Sequence, residues 1–243
     1  MIRLNKYRKN FEKNGISLKS QEKLLASKVL VLGAGGRGSV VISNLAALGV
    51  GQIKVIDGAV LQESDYNCHT IHKYRNIGRA KVISAKDWIL EYNPDVRIEL
   101  DKIYLDKTNY LNAIAGYDIL VDCFNDIESK YLLNEIALKN RKILIHGQTK
   151  GFFGQVTTIV PKKTGCLNCI SQKPDIVNKE EYSTLSAVVG VTASLQAQEV
   201  LKVITGYGDP LLNKLLIFDG LKSEFKTLPY SKNPICRCCS ING

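Results

Sequence analysis

Short apolar runs rich in Val, Ile and Leu recur along the first 150 residues, and longer segments with apolar residues at helical spacing lie between them. Five of these runs predict β-strands. They cover residues 28–33, 52–57, 96–100, 117–123 and 142–147. The intervening segments, such as 78–92 and 128–140, predict helices. Strands that alternate with helices form a mostly parallel sheet covered by helices, so the sequence predicts a doubly wound α/β fold of the Rossmann type.

The pattern changes after Gly151. Strand-like runs at 154–160, 215–219 and 224–228 flank a helical segment at about 186–206. We expect this second half to form a layer that covers the first and has short strands of its own. No internal repeat or low-complexity segment divides the chain, so a single domain over 1–243 is expected.

The first strand runs directly into a glycine-rich turn, in the stretch VLVLGAGGRGS. Gly33, Gly35 and Gly38 follow the order G-x-G-x-x-G, with Gly36 among them, and the segment 40–50 continues as a helix. Glycines let the backbone approach a phosphate, and the helix start offers unpaired N–H groups and the positive end of its dipole. The motif therefore predicts a nucleotide site, although it suits a dinucleotide and ATP equally, and some turns of this kind bind nothing.

Acidic and amide side chains follow the neighbouring strands. Asp57 closes the second strand, 19 residues after Gly38, where an acid would bind the ribose hydroxyls of a nucleotide. Asn125 and Asp126 follow the fourth strand. Because the carboxyl ends of parallel strands share one edge of a sheet, we expect all three side chains to face the same crevice. A turn-forming role is the alternative for Asp57.

Composition and charge narrow the range of partners. The chain has 243 residues, of which 45% are hydrophobic, enough for one sizeable core. Its formal net charge is +10, but the basic runs at 139–142 and 161–163 are short and lack interleaved aromatic residues. We therefore expect no nucleic-acid partner, whereas an acidic protein partner is compatible. Apolar runs stay below about 18 residues and residues 1–15 lack an apolar segment, so we expect no membrane association and a cytoplasmic location.

Two C-x-x-C pairs stand out among the seven cysteines. Cys166 and Cys169 lie in TGCLNC, and Cys236 and Cys239 lie in ICRCC. In a reducing compartment such pairs favour a tetrahedral zinc site, in which four thiolates leave no place for a substrate. The zinc ion would pin the C-terminal segment onto the domain. A redox-active pair is the alternative, and Cys238 could replace Cys239 as a ligand.

Several longer stretches, taken in combination, resemble the ThiF/MoeB/HesA family, relatives of the ubiquitin-activating enzymes. The stretches are SQEKLLASKVLVLGAGGRGS, ALGVGQIKVID, IGRAKVISAKDWILEYNPDV, GQVTTIV, the paired cysteines, GVTASLQAQEVLKVITGYGDPL and LLIFDG. The resemblance implies an ATP-using homodimer, with structural zinc, that adenylates the C-terminal carboxylate of a small ubiquitin-like sulfur carrier or a peptide. It divides the domain into an N-terminal helical arm (1–26), a nucleotide-binding half (27–150) and a carrier-binding and zinc half (151–243).

The resemblance also implies which side chains act on ATP. Lys81, in GRAKVISA, matches the family's catalytic lysine, and we expect it at the start of a helix facing the crevice, with Arg79 as a basic neighbour. Lys9 corresponds to an arginine that reaches across the dimer. Conversion of a carboxylate into an acyl adenylate expels pyrophosphate, and cations must neutralise the growing phosphate charge. An exposed helical lysine is the alternative for Lys81.

Several positions depart from the family pattern. In SDYNCH, Asp65 replaces an asparagine of the nucleotide site, Cys68 a phosphate-binding arginine and His69 a glutamine. Asn125 stands where the family has a metal-associated aspartate, and Asp126 follows it. An asparagine offers a magnesium ion a carbonyl oxygen but no charge. Cys68 with His69 as its base is an alternative nucleophile.

Two other interpretations of the function stay open. The altered positions suit a catalytically weakened or inactive member that acts as a carrier-binding or heterodimer subunit. The glycine motif with Asp57 also suits a nicotinamide-dependent oxidoreductase, although nothing after Gly151 resembles a hydride-transfer site. Lys179 stands where some family members carry a nucleophilic cysteine, so no thioester is expected there. His72 and His146 are expected to pack or to form hydrogen bonds rather than to bind a metal.

Overall fold

A computed structural model describes residues 2–12, 15–170 and 185–240 of the chain. Its strands are β1 (Lys28–Leu32), β2 (Gln52–Ile56), β3 (Arg97–Asp101), β4 (Ile119–Asp122), β5 (Ile143–Lys150), β6 (Phe153–Ile159), β7 (Lys214–Asp219) and β8 (Glu224–Pro229). Its helices are α1 (Ile2–Asn5), α2 (Arg8–Phe11), α3 (Leu18–Ala26), α4 (Gly36–Leu48), α5 (Lys81–Tyr92), α6 (Tyr110–Ile114), α7 (Ile127–Lys139), α8 (Leu167–Ile170) and α9 (Ser186–Thr205). Short 3-10 turns lie at Glu63–Asn67 and Tyr74–Asn76.

All eight strands lie in one sheet, in the order β3-β2-β1-β4-β5-β6-β7-β8. Neighbouring strands from β3 to β5 run parallel. The five strands predicted in the first half are all present, and their ends lie within three residues of the predicted ones. The doubly wound, mostly parallel α/β fold is therefore confirmed.

Successive side chains of β1 point to opposite faces of the sheet. Val29 and Val31 pack into the core that α4, α5 and α9 cover. Leu30 and Leu32 pack into the core on the opposite face, which includes residues of α6, α7 and α8. Because all four side chains are fully buried, β1 is the central strand of a sheet with helices on both faces.

The second half of the chain differs from the expected covering layer. Its strands β6, β7 and β8 continue the same sheet, each paired antiparallel with its neighbour. Within this half, α9 is the long helix that lies over the sheet, where it packs against α4, β5 and β6. The sequence predicted these segments as strands. The order of strands in a sheet depends on which strands pair, and the alternation of apolar and polar residues does not specify that.

Helix α9 is long and apolar enough to cross a membrane by length and composition, alone among the described helices. Core helices of folded domains share this property. Here Val189, Ala193 and Val200 are buried on the side that faces the sheet and α4. This packing accounts for the apolar composition of α9.

The connections of the sheet reverse direction around β1. The chain passes from β1 outward to β2 and β3, and then returns to β4 on the other side of β1. In doubly wound sheets ligands bind beyond the carboxyl ends of the strands at this reversal. The turn between β1 and α4, which carries the glycine motif, lies at this position.

Candidate nucleotide and metal sites

The glycine-rich turn links β1 to α4 through backbone that excludes larger residues. Gly33 has a φ of +100°, and a Cβ there would lie 2.7 Å from the carbonyl oxygen of Cys123. A Cβ on Gly38 would lie 1.9 Å from the carbonyl oxygen of Gly33. Gly35 precedes α4 without offering a side-chain cap, and Gly36 is its first residue. The first turn of α4 therefore presents N–H groups that suit an anion.

Asp57 ties this turn to the end of β2. Its Oδ2 accepts a hydrogen bond from the Ala34 N–H at 2.8 Å, and its Oδ1 accepts one from the Ala59 N–H at 2.8 Å. Asp57 therefore holds the glycine turn in shape before any nucleotide binds. Its contact with ribose stays a prediction.

Lys81 is the first residue of α5, where the sequence placed it. Its Nζ lies 2.9 Å from Asp65 Oδ2, and the Lys81 side chain is only 12% exposed. Asp65 also accepts a hydrogen bond from the Gln62 N–H at 2.9 Å. Burial acts to raise the pKa of Asp65, but the Gln62 N–H and Lys81 outweigh it and lower the pKa. Asp65 is therefore ionised at neutral pH.

Cys68 and His69 pack directly on the glycine turn and connect it to this ion pair. A Cβ on Gly36 would lie 3.0 Å from Cys68 Sγ, and one on Gly35 would lie 3.5 Å from His69 Nε2. The same His69 atom lies 3.6 Å from Asp65 Oδ1. Burial lowers the pKa of His69 to about 4, so its ring is neutral at pH 7. Lys81, Asp65 and the glycine turn thus form one cluster.

The structure disfavours Cys68 as a nucleophile. Its Sγ lies 3.9 Å from the carbonyl oxygen of Asp65, and the side chain is buried. Burial, and then the charge of Asp65, raise the pKa of the Cys68 thiol. A protonated thiol is a weak nucleophile.

The remaining two histidines form hydrogen bonds, as expected. His72 Nδ1 lies 2.8 Å from Ser84 Oγ, and its Nε2 lies 2.8 Å from the carbonyl oxygen of Ala34. His146 Nδ1 lies 2.6 Å from Asp122 Oδ2. His72 therefore also supports the glycine turn.

A buried charged network lies at the carboxyl ends of β4 and β5, and the sequence reasoning missed it. Asp122 is fully buried between His146 and Lys130, whose Nζ lies 3.7 Å from Asp122 Oδ2. Burial acts to raise the pKa of Asp122, but Lys130 and the His146 hydrogen bond lower it to about 2. Asp122 ends β4 as Asp57 follows β2, so the same strand-end rule could have identified it.

Arg37 belongs to this network although it lies within the glycine motif. Its guanidinium donates to the carbonyl oxygens of Phe124 and Gly147. The Nζ of Lys130 donates to the same two carbonyl oxygens. Because the motif leaves position 37 unspecified, the motif alone did not point to Arg37.

Asn125 and Asp126 lie above this network at the predicted edge. Asn125 Oδ1 lies 3.4 Å from Arg37 Nη2, and Asp126 Oδ1 accepts the Ser129 N–H at 2.7 Å as the N-cap of α7. A magnesium ion prefers anionic oxygen ligands, and a guanidinium beside the amide oxygen repels it. Asn125 still offers a carbonyl oxygen and Asp126 a carboxylate, and both side chains are exposed, so a magnesium ion at this edge stays a prediction.

Two predicted catalytic residues do not join the cluster within one chain. Arg79 forms an ion pair with Asp87 at 2.9 Å. Lys9 is exposed on α2, and the neighbouring Tyr7 packs on Gly49 at the end of α4 opposite to the glycine turn. Participation of Lys9 would require a second copy of the chain, as the resemblance implies, and stays a prediction. Lys179 lies outside the described residues.

Cys166, Cys169, Cys236 and Cys239 form one cluster, with their sulfur atoms within 4.8 Å of one another. The Sγ atoms of Cys166 and Cys236 are 3.7 Å apart, and those of Cys169 and Cys239 are 3.5 Å apart. Tetrahedral zinc with Zn–S bonds of about 2.3 Å requires sulfur separations of about 3.8 Å. The four thiols therefore fit a structural zinc ion. Cys238 adjoins this cluster, because its thiol contacts Cys166, and its Sγ is also 3.3 Å from Asn134 Nδ2 of α7.

Comparisons with known proteins agree with this geometry. The model of the ThiF family matches residues 7–238. The chain is 33% identical over 244 residues to the SAMP-activating enzyme E1 of Haloferax volcanii, covering 99% of this chain and 90% of that protein. It is 35% identical over 228 residues to the adenylyltransferase and sulfurtransferase MOCS3 of Drosophila yakuba, covering 92% of this chain and 50% of MOCS3. The chain thus spans about half the length of MOCS3.

The fold is also similar to that of a solved structure with a bound nucleotide. The crystal structure of E. coli MccB with ATP superimposes with a TM-score of 0.80 at 26% sequence identity. The match covers 90% of this chain and 68% of the MccB chain.

Proposed function

Because the chain belongs to the ThiF family, we propose that it is an ATP-dependent adenylyltransferase that converts the C-terminal carboxylate of a small ubiquitin-like sulfur carrier or a peptide into an acyl adenylate. Its relatives include a SAMP-activating enzyme and an adenylyltransferase, and MccB has been crystallised with ATP. These names support the class of reaction. The specific carrier or peptide is the finer part of the proposal.

The observation that carries the proposal is the position of Lys81. Its ammonium group is nearly buried and is held by Asp65, which His69 in turn connects to the glycine turn. In adenylation the substrate carboxylate attacks the α-phosphate of ATP, the bond to the β-phosphate breaks, and pyrophosphate leaves. A fixed cation at this point stabilises the growing negative charge. We assign this role to Lys81.

The glycine turn and Asp57 would hold the nucleotide. The N–H groups at the start of α4 suit phosphate oxygens, and Asp57 fixes the turn through Ala34. Each oxygen of the Asp57 carboxylate has a further lone pair, and these lone pairs would accept hydrogen bonds from the ribose hydroxyls. The adenylate therefore would form above the glycine turn.

A cavity beside the charged network would take the end of the substrate chain. It has a volume of about 240 Å³ and is lined by Lys130 and Tyr131 of α7, by polar side chains of β5 and β6, and by the apolar side chains of Ile127, Leu167 and Ile170. Its polar lining includes His146, Gln148 and Gln155. The resemblance to the ThiF/MoeB/HesA family implies a carrier that ends in Gly-Gly. Such a terminus has no side chains to exclude it from the cavity, and the polar groups would bind its peptide backbone. This supports a peptide or a sulfur carrier as the substrate.

The proposal includes zinc, the assembly and the cell compartment. A zinc ion held by the four clustered cysteines would fix the C-terminal segment against α8, with no part in the chemical step. A homodimer would bring Lys9 of one copy towards the site of the other. We assign the protein to the cytoplasm, where its thiols stay reduced.

Calorimetric titration with ATP tests the nucleotide site. We expect saturable binding to the zinc-loaded protein, at least tenfold weaker for Lys81→Met, because one contact with a phosphate is lost. Lys86→Met is the matched control, since Lys86 is exposed on the same helix. Equal binding by Lys81→Met and wild type would remove Lys81 from the site, and binding of NAD in place of ATP would favour an oxidoreductase.

A carrier-binding or heterodimer subunit is the second candidate. Cys68, at the position of a phosphate-binding arginine, is a buried thiol with a raised pKa and brings no positive charge to the glycine turn. Binding of a carrier without ATP-dependent pyrophosphate exchange would identify this second function.

A further inference from the structure

An exposed aromatic side chain lies just beyond β3, at the same edge of the sheet as the glycine turn. Tyr104 follows β3 and is 72% exposed. The residues on either side of it are directed inward. Leu105 is buried in the core that includes residues of α6, α7 and α8, and Ile103 packs against the same core. The chain is therefore anchored on both sides of Tyr104, and its ring lies on the outside of the domain.

Hydrogen bonds within the loop after β3 fix the Tyr104 backbone further. The Nδ2 of Asn109 donates to the carbonyl oxygen of Tyr104 at 2.9 Å. Asp106 Oδ1 accepts the N–H groups of Thr108 and Asn109 at 2.7 and 3.1 Å. A tyrosine has only two side-chain torsions, so a ring on a fixed backbone offers a ligand a large contact area at a low cost in conformational entropy.

The ring of Tyr104 lies flat on Gly58, the residue after Asp57. A Cβ on Gly58 would lie 2.6 Å from Cδ2 of the ring and 2.7 Å from both Cε2 and Cγ. Three consecutive ring atoms at almost equal distances place that position over the face of the ring rather than at its edge. The ring therefore fills the space that a side chain at position 58 would take, and its opposite face is open to solvent.

The order of the strand ends places this open face where the base of a nucleotide would lie. β1, β2 and β3 are neighbours in the sheet, and the glycine turn, Asp57 and Tyr104 follow their carboxyl ends in that order. The N–H of Asp57 donates to the carbonyl oxygen of Asp101, the last residue of β3, at 3.2 Å, so the ends of β2 and β3 are in contact. A nucleotide with its phosphates on the glycine turn and its ribose at Asp57 would carry its base towards Tyr104.

We propose that the open face of Tyr104 is the surface on which the adenine base stacks, so that binding depends on the base as well as on the phosphates. Every base has a π-face that stacks on an aromatic side chain, and removing one such ring weakens binding by about fivefold to a hundredfold. This inference rests on the proposed function, because it takes the ligand of the glycine turn to be ATP.

Calorimetric titration with ATP and with inorganic triphosphate, both in magnesium, separates the ring from the phosphate site. Tyr104→Ala should bind ATP at least about fivefold more weakly than wild type, with an unchanged affinity for inorganic triphosphate. Tyr104→Phe keeps the ring and should bind ATP as tightly as wild type. Tyr207→Ala is the matched control, since it removes an exposed tyrosine just after α9, and it should match wild type for both ligands.

Gly58 gives a second test from the other face of the ring. Its φ lies outside the left-handed region, so alanine suits its backbone, but the alanine Cβ would overlap the ring of Tyr104 and displace it. Gly58→Ala should therefore weaken ATP binding by about threefold or more in wild type and should have no further effect where Tyr104→Ala is already present. An equal loss in both backgrounds would show that Gly58 acts without the ring and would overturn the inference.

The remaining outcomes distinguish the inference from the proposed function. Equal ATP binding by Tyr104→Ala and wild type would overturn the inference and leave the proposed function intact. Equal losses of ATP and of triphosphate binding would show that Tyr104 supports the phosphate site instead, and would overturn the inference as well. No ATP binding by wild-type protein would contradict the proposed function and the inference together.

Discussion

Replacing Asp122 by asparagine should destabilise the fold more than replacing Lys130 by methionine, although both substitutions break the same ion pair. Asp122 Oδ2 lies 3.7 Å from Lys130 Nζ and 2.6 Å from His146 Nδ1. Asparagine would leave Arg37 and Lys130 buried together without an anion between them. Methionine at position 130 would leave Asp122 with His146 and with one cation, Arg37.

The expected magnitudes follow from burial. Removing one partner of a buried ion pair costs about 3–5 kcal/mol when an uncompensated charge is left behind. Asp122→Asn belongs to this class, because Asp122 is fully buried and is the anion that faces the buried cations Lys130 and Arg37. Lys130→Met removes one of two like charges and keeps a side chain of similar length. We therefore expect it to cost at most about 2 kcal/mol.

The assay is equilibrium unfolding of the zinc-loaded protein in urea, followed by the fluorescence of Trp88, the single tryptophan. The free energies of unfolding of two variants are compared only where the slope of the free energy against urea concentration, the m-value, is the same for both. Lys86→Met is the control and should lie within about 0.5 kcal/mol of wild type. A cost of Lys130→Met equal to or larger than that of Asp122→Asn would refute the role of Asp122 as the anion that faces two buried cations.

Three further predictions concern zinc, acid and the lysine site. Cys236→Ser should abolish bound zinc, measured by mass spectrometry of the metal, whereas Cys238→Ser should retain it, because Cys238 is not one of the four thiols that lie close to one another. Zinc loss in both variants would contradict this assignment. The pKa of His69 is lowered to about 4, so the unfolded chain binds more protons and the free energy of unfolding should fall from pH 6.5 towards pH 4, by up to about 1.4 kcal/mol per pH unit for this group. His69→Gln should reduce that slope in urea unfolding across the same pH range, and an unchanged slope would exclude His69 as a cause. Asp65→Asn should tighten ATP binding about threefold to tenfold in calorimetry, because it removes a negative charge beside Lys81. Weaker binding than in the exposed control Glu63→Gln would contradict this electrostatic effect.

The parts of the fold that follow from local patterns were predictable. The strands alternate with helices whose apolar residues recur at helical spacing. The glycine motif could be placed at the end of β1, because apolar runs and glycines determine the local conformation of the chain. The continuation of the sheet through β6, β7 and β8 was not predictable, since it depends on pairing between distant segments.

The candidate site shows the same division. Lys81 and the four clustered cysteines were recognised from motifs, and the structure brings the cysteines together. The network of Arg37, Lys130 and Asp122 was missed, because its members are separated by up to 93 positions and no motif links them. A buried charged residue can be recognised as part of a network only when the fold shows which other charges surround it.

The most direct test of the proposed function is ATP–pyrophosphate exchange, measured with radiolabelled pyrophosphate and small ubiquitin-like carriers or peptides with free C-termini. We predict exchange that depends on a cognate carrier, that disappears when the carrier's C-terminal carboxylate is amidated, and that falls at least a hundredfold in Lys81→Met but not in Lys86→Met. Binding of ATP and of a carrier without any exchange would contradict the adenylyltransferase and would identify a carrier-binding subunit instead.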